Sequence, residues 1–225
     1  MIALPVPRTG SRPPVATRYA WQRTPPPVVG GWLRCARDEP STGLVCWPDF
    51  YRDWPDHARR ELHKGRTLGI AIGDVDGLAE HVAQANVGDP ALWGHLAGNE
   101  LMRQAGLLSR TWLAGRPWPA ACLSTFGGDE IVLAAVIGRP AEFVASVGEL
   151  RDRLSVALPR TVSWAVSWLV PGEVPNLPDA DWPVWLGRHV LGHIDRALFV
   201  SKARRRATGD LGLGFLVVTE PGAAI

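Results

Sequence analysis

Two glycines followed by two carboxylates, Phe126-Gly127-Gly128-Asp129-Glu130-Ile131, interrupt an otherwise apolar stretch. Ala120-Ala121-Cys122-Leu123 precedes them, and Ile131-Val132-Leu133-Ala134-Ala135-Val136 follows. Two apolar runs joined by paired glycines specify a tight β-hairpin, because glycine supplies the backbone angles that a short turn demands. The acids at its tip admit two readings. Either they are simply solvated, or a positive group lies between them and offsets their repulsion. A divalent cation carrying nucleotide phosphates would satisfy the second reading.

The rest of the chain narrows the class of protein. Its 225 residues suffice for one large domain, or a domain with an extension, and can bury a sizeable core. A 46% hydrophobic and 20% charged composition is that of an ordinary globular protein. The net charge of +2 gives no argument for a nucleic-acid or membrane partner. Lysine occurs only at Lys64 and Lys202, and arginine supplies the other 22 of 24 basic residues. Cys35, Cys46 and Cys122 have neither metal-ligand spacing nor an even disulfide framework, so a reducing cytoplasm is the expected setting. No apolar run reaches membrane-spanning length, and the N-terminus lacks the pattern of a secretory signal.

Residues 1–33 are rich in proline and arginine and have no sustained periodicity, which predicts a partly disordered extension. Residues 34–225 read as the folded domain. Helices are expected over 50–63, 78–85, 96–113, 141–158 and 184–205, and strands over 68–73, 161–168 and 212–218 in addition to the hairpin. The resulting order, β-α-α-β-β-α-β-α-β, reduces to the split β-α-β unit. The predicted class is therefore α+β: a ferredoxin-like, palm-type sheet, mostly antiparallel, with helices on one face.

This order brings acids together. Asp74 and Asp76 flank Val75 at the end of the first long strand, and Asp129 and Glu130 lie on the hairpin expected to pair beside it. Neighbouring strands run about 5 Å apart, so carboxylates at matching strand ends can share metal ions. Two such ions can activate a hydroxyl and steady a leaving pyrophosphate. Asp76-Gly77 can equally be a helix N-cap or a turn.

With these blocks in view, the chain resembles the GGDEF domains of bacterial diguanylate cyclases. The segment 38–44, Asp-Glu-Pro-Ser-Thr-Gly-Leu, is similar to the opening D-x-L-T-G-L motif. Gly73-Asp74-Val75-Asp76-Gly77-Leu78 resembles D-x-D-x-F, and Gly94-His95-Leu96-Ala97-Gly98-Asn99 resembles G-H-x-x-G-D. The hairpin carries the signature with Ile131 in place of phenylalanine. Asp195-Arg196-Ala197-Leu198-Phe199-Val200-Ser201-Lys202, with Arg206 beyond it, is similar to the closing A-D-x-A-L-Y-x-A-K-x-x-G-R. The resemblance implies that Asp74, the Val75 carbonyl, Asp129 and Glu130 hold two Mg²⁺ or Mn²⁺ ions. Asp74, Asp129 and Glu130 would be the catalytic acids, and Lys202 and Arg206 would bind the triphosphate. It further implies GTP or ATP as substrate and a homodimer in which each copy presents one nucleotide.

Departures from the pattern shape the expectation. Asn99 stands where an aspartate reads guanine, and an asparagine amide complements adenine's donor–acceptor edge better. The alternative reading of Asn99 is a cap on the helix that follows. The stretch between Asp74 and Gly94 is longer than usual, and Asn86 is the best candidate for the other base-contacting asparagine. Ala79 replaces a common phosphate-contacting lysine. Trp118-Pro119-Ala120-Ala121 lacks the R-x-x-D of product inhibition. His189 and His193, four apart on one helix, have no third ligand and read as surface residues, and His95 as a residue ordering its loop. The expected activity is condensation of two nucleoside triphosphates to cyclic di-GMP or an adenine-containing relative. The alternative is a degenerate domain that binds a nucleotide or a protein and catalyses nothing.

Overall fold

A computed structural model describes residues 37–88, 94–210 and 214–219. The proline-rich extension at 1–33 lies outside the described residues. Strand β1 (Val45–Cys46) runs into α1 (Trp47–His63), followed by β2 (Thr67–Val75), α2 (Leu78–Gly88) and α3 (Gly94–Ala114). The hairpin is β3 (Ala121–Thr125) and β4 (Glu130–Ile137). Then come α4 (Pro140–Ala157), β5 (Val162–Leu169), α5 (Trp182–Trp185), α6 (Gly192–Thr208) and β6 (Phe215–Val217). The six strands form one mixed sheet in the order β1-β3-β4-β2-β5-β6. Its four central strands are antiparallel, and β1 and β6 join the edges in parallel. The α+β class and the antiparallel centre agree with the sequence expectation.

Helices cover both faces of the sheet, not one. Leu68, Ile70 and Ile72 of β2 pack with Phe50 and Trp54 of α1 and with Ile194 and Leu198 of α6. From the opposite face of the sheet, Ala71 and Val75 join Leu101 and Met102 of α3 and Phe143 and Leu150 of α4. The reason is visible in the strands themselves. β4 is an unbroken apolar run whose seven residues from Ile131 to Ile137 are all buried, and such a strand needs cover on both sides. α2 buries none of its residues and lies against α3.

Local chemistry sets the helix ends. Pro48 and Pro140 occupy first-turn positions, where a missing N–H costs nothing, so α1 begins earlier than its apolar periodicity suggests. The helix expected over 184–205 is divided: α5 passes through a π-helical turn at Leu186–Leu191 before α6 begins. Tyr51 packs where a side chain on Gly187 would stand, and its hydroxyl donates to the Pro183 carbonyl at 3.1 Å. α6 ends at Gly209, whose φ of +67° is the left-handed stop that glycine adopts readily. Trp112, Trp164, Trp182 and Trp185 are all buried, as core residues.

Candidate active site

The site forms where β2, β4 and β5 end together. Asp74 is paired in register with Glu130 on one side and with Ser163 on the other. One residue further on, the Val75 N–H donates to the Asp129 carbonyl at 3.1 Å, and the Asp76 N–H to the Thr161 carbonyl at 2.8 Å. These bonds draw the GG-acid turn and the end of β2 together. Gly127 and Gly128 have φ of +73° and +41° with open space around them, so the turn needs their backbone freedom and not their small size.

Alternation along the strand sends Asp74 and Asp76 to the same face, and both meet Lys202 of α6. The buried Lys202 ammonium donates to Asp74 Oδ1 at 2.5 Å and lies 3.2 Å from Asp76 Oδ1. Asp76 is further held by the Thr161 and Ser163 hydroxyls, each 2.8 Å from its Oδ2. Arg205 donates to the Ser163 hydroxyl at 2.9 Å. Asp76 thus orders three elements at once, β2, β5 and α6.

The electrostatics show a surplus of negative charge. Burial, aided by Asp195, Asp74 and Asp129, pushes the Glu130 carboxyl up to about 7 against the opposing pull of Lys202. Asp74 is also raised, by burial and by Asp129 and Asp76, while Lys202 works in the other direction. Burial raises Asp195 as well. An all-oxygen donor set with unbalanced charge fits a hard divalent cation by its chemistry. Among the described residues, however, no three His, Cys, Asp or Glu side chains are gathered as a ready-made cage, the acids of this cluster and His189 and His193 included. Lys202 is the group that neutralises Asp74.

Beside the carboxylates opens a cavity of about 470 Å³, within the usual range for small ligands. Lys202, Arg205 and Arg206 line it from α6, Arg160 from the segment entering β5, Asp76 from the turn after β2, and Glu80 from α2. Lys202 and Arg206 are therefore brought together. Arg205 was visible in the sequence as part of a basic run three residues after Lys202. Arg160 carried no such signal, since only the fold places Pro159-Arg160 opposite α6.

The two asparagines, both expected at the base, stand in different local settings. Asn86 Oδ1 accepts the Gly94 N–H at 2.6 Å, so Asn86 is the residue that caps α3. Asn99 lies inside α3 and is exposed, so it is not a cap. His95 lies in the first described turn of α3 and not on a loop. Ala79 is exposed in the first turn of α2.

No protein-family model and no curated protein matches the chain. Solved structures do. The GGDEF domain of DgcB from Caulobacter crescentus, crystallised with c-di-GMP, superposes with a TM-score of 0.57 at 17% identity, over 82% of this chain and 96% of that one. The FimX GGDEF domain from Pseudomonas aeruginosa gives 0.59 at 17% identity, over 82% of this chain and 100% of its own. The active GGEEF domain of a diguanylate cyclase from Vibrio cholerae gives 0.51 at 16% identity, over 70% and 90%. At such identities the likeness concerns architecture. The chain has the fold of the GGDEF domains.

Proposed function

We propose that this protein condenses two nucleoside triphosphates, GTP or ATP, into a cyclic dinucleotide and releases pyrophosphate. The observation that carries the reading is the juxtaposition at one sheet end: a carboxylate cluster with surplus charge beside a cavity whose lining brings four cations, Arg160, Lys202, Arg205 and Arg206, together with Asp76, Glu80 and Asp210. Asp74, the Val75 carbonyl, Asp129 and Glu130 would hold two Mg²⁺ or Mn²⁺ ions, which supply hydroxyl activation and charge neutralisation when bound. Lys202 and Arg206 bind the triphosphate, one as a point charge and one as a planar fork. Glu130, at about 7, matches a group that accepts the 3′-hydroxyl proton near neutral pH. The 3′-oxygen then bonds to the α-phosphorus of the other nucleotide, and the bond to the β-phosphate breaks. Ring closure requires this twice, so two copies face each other, each presenting one nucleotide.

The DgcB domain crystallised with c-di-GMP supports a guanine-containing product by its similar fold. Asn99 in place of an acid supports tolerance of adenine. The test is incubation of the purified full-length chain with labelled GTP, ATP or both, in Mg²⁺ or Mn²⁺. A cyclic dinucleotide that disappears in Asp74→Asn and Asp129→Asn is expected. Retained nucleotide binding without product from any mixture would replace this reading with that of a binding module.

A further inference from the structure

Arg160 stands across the 470 Å³ cavity from α6. Arg160 NH2 donates to Gln84 Oε1 of α2 at 2.8 Å, and no carboxylate is paired with it among the described residues. This sets it apart from Arg52, Arg66, Arg103 and Arg116, which all bind acids. Arg206, also lining the cavity, has no acid partner among the described residues either. Two guanidinium groups without an ion-paired carboxylate among the described residues thus border one space from different elements. Glu80 stands beside Arg160: its Oε2 lies 3.2 Å from the point where a Cβ on Gly77 would be, the same point that Arg160 NH1 approaches.

The placement of Arg160 is specific. Its NH1 lies 3.4 Å from the point where a Cβ on Gly77 would be, so it overhangs the turn between Asp76 and Leu78. That turn leads into the start of α2, whose first N–H groups lack partners within the helix and favour an anion. Gln84 fixes one edge of the guanidinium without neutralising it, because a neutral amide oxygen takes a hydrogen bond and leaves the positive charge. A fork held in this way is ordered before a ligand arrives, and little rotamer freedom is lost when phosphate oxygens meet it.

We propose that Arg160 is a substrate-binding residue, the second wall of a polyphosphate clamp whose first wall is Lys202 and Arg206, with Gln84 as its positioning residue. The proposal rests on the reading of the cavity as a triphosphate site. Ala79, in the first turn of α2, offers no charge to that wall, and Arg160 supplies one from the segment entering β5.

The experiment uses the full-length chain with inorganic tripolyphosphate as the binding probe and dinucleotide synthesis as the kinetic readout. Arg160→Ala is expected to weaken tripolyphosphate binding about tenfold, as the loss of one charge-assisted contact does. It should raise the KM for the triphosphate by a similar factor while changing kcat much less. Arg160→Lys should recover part of the affinity, since charge returns without the fork. Gln84→Ala should give a smaller loss of the same kind, and Arg103→Ala, on α3 and paired with Glu100, none. Wild-type binding with equal binding by Arg160→Ala overturns the role of Arg160 and leaves the triphosphate reading standing. No binding of tripolyphosphate or of either triphosphate by the wild type overturns both. An equal fall in kcat and affinity together with a lowered Tm in Arg160→Ala assigns the residue to holding α2 on β5, and also overturns the proposal.

Discussion

Glu130 sits among Asp74, Asp129 and Asp195 with Lys202 as the opposing charge, and its carboxyl is pushed from an ordinary 4.5 up to about 7. Ionising it therefore costs the folded state more than the unfolded one. In metal-free buffer at pH 8, Glu130→Gln is expected to raise Tm by about 2–4 °C while eliminating product, the usual exchange of stability for function at such a site. A lowered Tm would show that the carboxylate stabilises the fold instead. Asn99 offers a second test: Asn99→Asp should shift synthesis toward GTP in competition with ATP, and unchanged preference would remove it from base reading. The acids at strand ends were legible as residues because carboxylates closing apolar runs demand partners. Their shared partner, Lys202, lies 128 positions from Asp74, a pairing that strand spacing does not specify and only the packing of α6 reveals.

Strand β2 shows how an element can be shaped by what it must admit. A side chain on Gly73 would meet the Trp164 ring at 2.7 Å, and one on Gly69 would meet Phe143 at 2.7 Å. Both rings are fully buried, so neither can give way cheaply. Gly73→Ala is expected to cost about 1–3 kcal/mol in urea unfolding, by overpacking. Little or no change in the midpoint would mean that Trp164 can repack. The hairpin, the long strands and most helices were legible in the sequence from turn residues and apolar period. The double cover of the sheet was not drawn from the unbroken apolar run of β4, although that run encodes it. The break at Leu186–Leu191 was hidden for a different reason. It depends on Tyr51, which packs on Gly187 from α1, and no local periodicity carries that contact.

At the scale of the molecule, α1 makes the protein sensitive to acid. It buries Asp49, Asp53, His57 and Glu61 along with its apolar face. Arg37 holds the Asp49 carboxyl down at about 2, and burial lowers His57 from 6.5 to about 4. For His57 the unfolded chain takes up the proton first. Its contribution is intact above pH 6.5 and is lost as the pH falls toward 4. Between these values Tm should fall more steeply in the wild type than in His57→Gln, and parallel curves would exclude His57 as the cause. Lys202 has a consequence of another kind. The whole chain holds two lysines, one buried against Asp74 and one, Lys64, more than half exposed, so amine acylation read by mass spectrometry has only these side chains to report on. Lys64 should acylate first. Lys202 should become reactive when Mg²⁺ alone competes for Asp74, and should be shielded again when a triphosphate is added. Reactivity indifferent to both additions would mean that Lys202 never leaves Asp74. The scarcity of lysine makes this protein its own reporter of whether the site is charged and filled.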